Sequence, residues 1–120
     1  MGRRILIIDD DNHILEILEI IFAAEGYSVI LSNTGEAVEQ LATIQPDLIL
    51  LDVRIIGHPK SGDEICAELK SNHLYDKLPV ILISAESDLE VLANECSADA
   101  FIRKPFDMYE LIGRVKDFID

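Results

Sequence analysis

"RILIIDDDN" (residues 4–12) joins an apolar run, 4–9, directly to three consecutive acids. Two later stretches have the same apolar character, "DLILLD" at 47–52 and "PVILIS" at 79–84. These runs are continuously apolar rather than alternating, which is typical of strands buried on both faces of a parallel sheet. The sequence therefore predicts at least three buried parallel strands, and it places acids at the ends of two of them.

Two weaker runs complete the strand pattern. "AFIRK" (100–104) is short and ends in charge, whereas "YSVILS" (27–32) alternates partly and has serines near both ends. Partial alternation indicates one wetter face, so we expect 27–32 to be an edge strand.

Amphipathic patterns of helical period separate the five runs. The predicted helices span 13–25, 35–44, 62–73, 87–96 and 107–119. N-caps are expected at Asp11 or Asn12, at Thr34 and at Asp107, and Gly26 stands where a glycine ends a helix. The positions expected to face the core are Ile14, Ile17, Leu18, Ile21, Ala37, Val38, Leu41, Ile65, Cys66, Leu69, Leu89, Val91, Leu92, Leu111, Val115 and Phe118.

The element order is a βα unit repeated five times. Alternating βα units require a parallel sheet with helices on both faces and right-handed crossovers. We find no linker, low-complexity tract or internal repeat, so the expectation is one α/β domain over residues 1–120, a doubly wound (βα)5 fold. That fold alone serves flavoproteins, hydrolases and switches, so the site must decide the function.

Composition excludes several classes of partner. The chain has 10 Lys and Arg against 23 Asp and Glu, a formal net charge of −13. Nucleic acid and anionic membranes are bound by clustered cations, so direct contact with either is not expected. The apolar runs are too short for a membrane span or a signal peptide, and a cytoplasmic location is expected. Cys66 and Cys96 lack metal-ligand spacing; small buried thiols are the favoured interpretation, and a disulfide stays open.

The strand ends carry the informative residues. In a doubly wound sheet, sites lie beyond the carboxyl ends of the strands. Asp9 and Asp10 end the first strand, Asp52 the third, Ser84 the fourth, and Lys104 follows the fifth. Carboxylates gathered there repel one another unless a cation is present. Mg2+ prefers oxygen ligands, a lysine ammonium group suits a phosphoryl oxygen, and a serine hydroxyl can bind another. Together these residues indicate phosphoryl transfer to a carboxylate.

The motifs "IIDDD", "LILLD", "VILISA" and "FIRKPF" resemble the strand ends of response regulator receiver domains, the phosphorylatable switches of two-component signalling. The resemblance covers essentially the whole chain, with four motifs in the right order. It implies a flavodoxin-like fold with strand order 2-1-3-4-5, as in chemotaxis regulators.

The resemblance also implies a role for each matching residue. Asp52 would be the phosphoacceptor, assisted by Ser84 and Lys104. Asp9, Asp10 and Asp52 would bind Mg2+, with the backbone carbonyl of Arg54 as a further ligand. Ser84 and Phe101 would act as the switch residues, and the Lys104–Pro105 peptide bond would be cis. Taken singly, each residue also has an explanation without a functional role: a solvated acid, a turn serine, a surface lysine or a core aromatic.

The resemblance is incomplete after the third strand. The family usually has proline four residues after the acceptor and glycine eight after it; here Ile56 occupies the first position, and Gly62 comes ten after Asp52. "VRIIGHPKSG" is therefore about two residues longer than usual, which a surface loop absorbs at small entropic cost. Ser97 likewise stands where glycine is common.

Two further residues are candidate modulators of the phosphoryl lifetime. Arg54 lies two residues past Asp52, and Glu86 lies two past Ser84. Their opposite charges suggest an ion pair across the mouth of the site that hinders attacking water. Independent solvated side chains are nearly as good an explanation, because exposed pairs contribute little.

The resemblance implies a switch that accepts a phosphoryl group from a sensor histidine kinase or a phosphotransfer protein. A downstream protein or a dimer mate would then bind the face formed by the fourth helix, the fifth strand and the fifth helix. One alternative is a Mg2+-dependent phosphohydrolase with an aspartyl nucleophile, but Arg54 stands where such enzymes usually carry a second acid. A flavodoxin-like FMN protein would need a phosphate-binding loop in place of "DDDNH". A degenerate receiver that acts only as an interaction module is the third alternative.

Overall fold

A computed structural model describes residues 3–119. Its elements are, in chain order, β1 (Arg4–Ile8), α1 (Asn12–Ala24), β2 (Ser28–Ser32), a 3-10 segment (Gly35–Gln40) that continues into α2 (Leu41–Ile44), β3 (Leu48–Asp52), α3 (Gly62–Lys70), β4 (Val80–Ser84), α4 (Leu89–Cys96), β5 (Ala100–Arg103) and α5 (Met108–Phe118). The five predicted βα units are all present.

The five strands form one parallel sheet in the order β2-β1-β3-β4-β5. The predicted doubly wound fold and strand order are confirmed. β3 is central, pairing Ile49 with Leu6 of β1 on one side and with Val80 of β4 on the other. The strands run the same way, so β1, β3, β4 and β5 all end at one edge of the sheet.

The sheet has a hydrophobic layer on each face. Alternate residues of each strand point to opposite faces. Ile5, Ile7 and Leu50 therefore pack beneath α1 and α5, whereas Leu6 and Ile49 pack beneath α2, α3 and α4. This two-sided burial explains why the β1, β3 and β4 runs are continuously apolar. β2 is the edge strand that was predicted, and its residues are only partly buried or exposed.

Local polar residues fix where several helices begin. Asp11 accepts a hydrogen bond from the backbone N–H of His13, and Asp107 accepts from Tyr109 and Glu110. Thr34 caps the 3-10 segment in the same way. These three caps are the ones the sequence predicted, with Asp11 rather than Asn12 as the cap of α1. At α3, Ser61 and Glu64 form a reciprocal capping pair that had not been predicted.

Some helix predictions were wrong in detail. The second helix is not continuous over 35–44, because its first six residues form a 3-10 segment. The third was expected to reach residue 73 but ends at Lys70, and the fourth begins at Leu89 rather than at 87.

Three residues expected in the core are exposed, namely Ile17 (47%), Val91 (56%) and Phe118 (37%). The other core positions predicted for these helices are buried or partly buried. In α1, Leu18 is buried as predicted, but it is joined by Leu15 and Phe22, and this stripe has the same i, i+3, i+7 spacing as Ile14, Ile17 and Ile21. Apolar residues occupy both stripes, so periodicity could not choose between them.

The structure also bears on the two cysteines and on membrane spanning. Cys66 and Cys96 are both buried free thiols, as favoured, and burial raises the pKa of the Cys66 thiol. Within residues 3–119, none of the helices combines the length and the apolar character needed to cross a bilayer.

Candidate functional site

The parallel sheet brings the predicted site residues together. Asp9 follows β1, Asp52 is the last residue of β3, and Ser84 is the last residue of β4. The backbone N–H of Lys104, just after β5, donates to the carbonyl of Ser84 at 2.9 Å. These side chains therefore lie along one edge of the sheet, around an open cleft of about 710 Å3 that Asp10, Asp52, Ser84 and Lys104 line in part.

Three carboxylates form the acidic part of the site. One oxygen atom each from Asp9, Asp10 and Asp52 lies within 4.8 Å of the other two. Asp9 and Asp52 are only 1% and 5% exposed, and Asp10 is half-buried. The N–H of Asp11 donates to Oδ1 of Asp9 at 2.9 Å, so the chain itself orients the most buried acid.

Lys104 provides a positive charge next to the acids. Its Nζ lies 2.8 Å from Oδ2 of Asp9 and 3.5 Å from Oδ2 of Asp52. Burial acts to lower the pKa of Lys104, but the hydrogen bond to Asp9 and the charges of Asp52 and Asp9 outweigh it and raise that pKa. Lys104 therefore stays protonated. The Lys104–Pro105 peptide bond is cis, as the resemblance implied.

The pKa of Asp52 reflects its burial first and its acidic neighbours second. Burial, then the neighbouring charge of Asp9, raise the pKa of Asp52 to about 7, although Lys104 acts in the opposite direction. A cation placed among the three acids would offset their mutual repulsion and so favour the ionised form of Asp52. Three hard oxygen donors beside an open cleft fit Mg2+, which keeps several of its waters and binds through few carboxylates.

The hydroxyl group of Ser84 is engaged in the loop that follows β4. Ser84 is 2% exposed, and its Oγ accepts a 3.0 Å hydrogen bond from the N–H of Glu86. The carboxylate of Glu86 in turn lies 3.3 Å from Nη1 of Arg54, so the ion pair suggested by the sequence is present at the mouth of the site. Arg54 is largely exposed.

Arg103 connects that loop to Phe101. Nη1 of Arg103 donates to the carbonyl of Glu86 at 3.2 Å, and its guanidinium carbon lies 5.9 Å from the centre of the Phe101 ring. Phe101 is half-buried and packs against the core layer beneath α2, α3 and α4. The loop after β4 and the predicted switch aromatic are thus joined through one side chain.

Residues 5–116 match the family model for the response regulator receiver domain. The chain belongs to the response regulator receiver family. The family match thus agrees with the fold and with the motifs at the strand ends.

Solved structures of other receiver domains are similar to this one. A response regulator from Chloroflexus aurantiacus J-10-fl has a TM-score of 0.90 and 30% identity, with 98% of each chain covered. The signal receiver domain of a signal transduction histidine kinase from Syntrophus aciditrophicus has a TM-score of 0.90 and 35% identity, covering 98% of this chain and 90% of that one. The chemotaxis protein CheY4 of Vibrio cholerae has a TM-score of 0.87 at 20% identity, covering 99% and 100%; this match supports the fold alone.

Two contacts of this receiver domain were not expected from its sequence. The N–H of Ile56 donates to Oδ2 of Asp10 at 3.2 Å, which ties the lengthened loop to an acid of the site. A Cβ atom on Gly62 would overlap the backbone carbonyl of Asp52, so α3 begins directly against the phosphoacceptor candidate. The sequence signal for the second contact was the displaced glycine, whereas no residue type signals a backbone donor.

Proposed function

We propose that this receiver domain accepts a phosphoryl group on Asp52 in a Mg2+-dependent reaction. The observation that carries the proposal is the position of Asp52, which is buried at the end of the central strand beside two other acids and Lys104. The donor would be a sensor histidine kinase or a phosphotransfer protein. A small phosphodonor such as acetyl phosphate can test the chemistry without either partner.

The chemical step is an in-line transfer between oxygen or nitrogen and the Asp52 carboxylate. A carboxylate oxygen of Asp52 forms a new P–O bond while the P–N bond of a phosphohistidine, or the P–O bond of acetyl phosphate, breaks. The bonding electrons leave with the imidazole or the acetate. Asp52 must be ionised to attack, and its raised pKa means that a nearby positive charge favours the reactive form.

The neighbouring residues would share the stabilisation of the transferred group. Asp9, Asp10 and Asp52, with the carbonyl of Arg54, would hold Mg2+, which supplies positive charge to the phosphoryl oxygens when it is bound. Lys104 is within reach of both Asp9 and Asp52, so it can turn from Asp9 toward a phosphoryl oxygen. The hydroxyl of Ser84 would donate to another oxygen.

Phosphorylation would act as a switch through the loop after β4. The hydroxyl of Ser84 can donate to the phosphoryl group while its oxygen still accepts from the N–H of Glu86, so a movement of Ser84 toward that group would draw Glu86 with it. Any movement of Glu86 strains its bond to Arg103, which also contacts Phe101. We infer that the face of α4, β5 and α5 is thereby reshaped for a downstream protein or a dimer mate, in the cytoplasm.

The test uses intact mass after incubation with acetyl phosphate and Mg2+. The wild type is expected to gain the mass of one phosphoryl group, and Asp52→Asn is expected to gain nothing. Asp47→Asn is the matched control, because Asp47 stands just before β3, at the opposite end of that strand. A phosphoryl adduct that persists in Asp52→Asn, or that forms equally well with EDTA in place of Mg2+, would contradict the proposal.

A further inference from the structure

The lengthened loop after β3 reaches into the site through its backbone. The N–H of Ile56 donates to Oδ2 of Asp10 at 3.2 Å, while the side chain of Ile56 is 82% exposed. Among residues 3–119, Asp10 has no ion-pair partner, in contrast to Asp9, which Lys104 and the N–H of Asp11 hold. Ile56 is therefore the contact that orients the Asp10 carboxylate.

The segment around Ile56 is fixed on both sides. Ile55, just before it, is 6% exposed and belongs to the core layer beneath α2, α3 and α4. Beyond it, Nζ of Lys60 pairs with Glu68 of α3 at 2.6 Å. The loop is consequently attached at both ends, although it is longer than usual.

On the other side of Ile56, His58 supplies the nearest attachment. Its half-buried ring lies directly against Gly35 of the 3-10 segment, so closely that a Cβ atom on Gly35 would be 2.7 Å from the ring. The N–H of His58 donates to the carbonyl of Ile55 at 3.2 Å. Nδ1 of the ring lies 3.2 Å from the backbone nitrogen of Lys60 and 3.1 Å from its carbonyl oxygen, so it accepts from the first or donates to the second according to the ring tautomer. The glycine at position 35 is what allows this contact.

We propose that His58 is a positioning residue for the cation site: by packing on Gly35 it holds the N–H of Ile56 against Asp10 and so fixes that carboxylate for Mg2+. The inference rests on the proposed function, because it concerns the same acids. One oxygen of Asp10 is engaged by the N–H, which leaves the other available. Outer contacts that orient a metal-binding carboxylate strengthen cation binding, because less freedom is lost when the cation arrives.

The loop composition is consistent with this role. A proline at position 56 would carry no N–H and could not make the bond to Asp10. Ile56 retains the donor. The departures of this loop from the usual pattern and the contact to Asp10 thus occur at the same place.

The test compares the Mg2+ dissociation constant of the wild type with that of two variants. Gly35→Ala inserts a methyl group where the His58 ring lies, and His58→Ala removes the ring without adding volume. Both are expected to weaken Mg2+ binding about three- to tenfold, the size of a weakened hydrogen bond to a charged group. Gly113→Ala is the control, because a Cβ atom there would meet open space.

Three further measurements separate positioning from general damage. In the metal-free protein, the amide proton signal of Ile56 should shift in both variants, while the midpoint of urea unfolding changes little for His58→Ala. At saturating Mg2+, the rate of Asp52 phosphorylation by acetyl phosphate should return to the wild-type value.

The outcomes are distinguishable from failure of the proposed function. If the wild type binds Mg2+ and is phosphorylated on Asp52, but His58→Ala binds Mg2+ as tightly as the wild type, the positioning role is wrong and the proposed function stands. A deficit in phosphorylation that persists at saturating Mg2+ would equally overturn it. If the wild type itself neither binds Mg2+ nor accepts a phosphoryl group, the proposed function fails first.

Discussion

Lys104 donates a 2.8 Å hydrogen bond to Asp9, a residue 95 positions earlier in the chain. The same ammonium group is 3.5 Å from Asp52, the proposed phosphoacceptor, so in the unphosphorylated protein it is closer to Asp9 than to Asp52. A single lysine thus stands in for part of the positive charge that the three acids require. This arrangement makes Lys104 a competitor of the cation as well as a partner of the phosphoryl group.

Replacing Lys104 should therefore strengthen Mg2+ binding while it slows phosphorylation. In Lys104→Met the repulsion between the ammonium group and the incoming cation disappears, and we expect Mg2+ to bind at least about threefold more tightly at low ionic strength. Titration calorimetry measures the affinity, and intact mass measures the rate with acetyl phosphate. Lys77→Met, at an exposed lysine ahead of β4, is the control and should change neither. Weaker Mg2+ binding in Lys104→Met would contradict the idea.

The raised pKa of Asp52 predicts a specific dependence of stability on pH in the metal-free protein. The pKa is about 7 in the folded protein and near 3.8 when the group is unperturbed, so between these values the folded protein keeps a proton that the unfolded chain loses. The contribution of Asp52 to stability must then fall as pH rises through that window, by up to about 4 kcal/mol at about 1.4 kcal/mol per pKa unit.

Asp52→Asn isolates this effect. At pH 8 without Mg2+ the variant should be more stable than the wild type, by about 2 kcal/mol once the lost attraction to Lys104 is allowed for. The difference should shrink toward pH 5, where the wild type is protonated, and urea unfolding at a series of pH values measures it. A difference that is constant from pH 5 to pH 8 would mean that Asp52 titrates normally. Added Mg2+ should stabilise the wild type more than the variant.

The Arg54–Glu86 ion pair should lengthen the lifetime of the phosphorylated state. The pair is 3.3 Å long, and both residues line the open cleft that Asp52 also lines, through which we expect an attacking water to enter. Arg54 is 78% exposed, so the effect is small, and Arg54→Ala or Glu86→Ala should speed autodephosphorylation about two- to fivefold. The decay of phosphorylated protein after removal of the donor measures the rate. If the double variant is as slow as the wild type, the pair does not shield the phosphoryl group.

The sheet and the order of its site residues could be predicted because they depend on short-range patterns. A strand buried on both faces needs a continuous apolar run, and β1, β3 and β4 each have one. Parallel strands then bring their carboxyl ends together whatever the helices do in detail. Asp52 and Ser84 were therefore placed correctly on the sheet edge from the sequence alone.

The helix faces and the loop after β3 could not be predicted to the same depth. α1 has two apolar stripes of equal spacing, and only packing against the sheet decides that Leu15 and Phe22 are buried, whereas Ile17, which was predicted in the core, is exposed. The bond from Ile56 to Asp10 involves a backbone donor, which every residue except proline carries. A contact of that kind cannot be recognised from residue type, whereas the close approach of α3 to β3 can, because it requires a glycine.

Gly62 is the glycine that this close approach requires, and its replacement should destabilise the fold and impair the site. A Cβ atom there would overlap the carbonyl oxygen of Asp52 and crowd the backbone of Val53, neither of which can move without shifting β3. Gly62→Ala should therefore lower the free energy of unfolding by about 2 kcal/mol or more and reduce phosphorylation of Asp52. Urea unfolding and intact mass are the measurements, with Gly113→Ala as the control. Wild-type stability in Gly62→Ala would show that the loop before α3 can shift far enough to relieve the overlap.

Ser97 offers the opposite prediction, a substitution that should stabilise the protein. Ser97 ends α4 with a φ of 62°, a left-handed conformation that costs an L-residue about 1 kcal/mol relative to glycine. Its side chain is exposed, so Ser97→Gly relieves the strain without removing packing. We expect the free energy of unfolding to rise by about 0.5–1 kcal/mol, because the gain in the folded state is partly offset by the greater freedom of glycine in the unfolded chain. Urea unfolding measures the change, and Ser71→Gly is the matched control, because Ser71 ends α3 in a right-handed conformation that glycine does not favour. If Ser97→Gly were no more stable than the wild type, the hydroxyl group of Ser97 would have to contribute a compensating interaction.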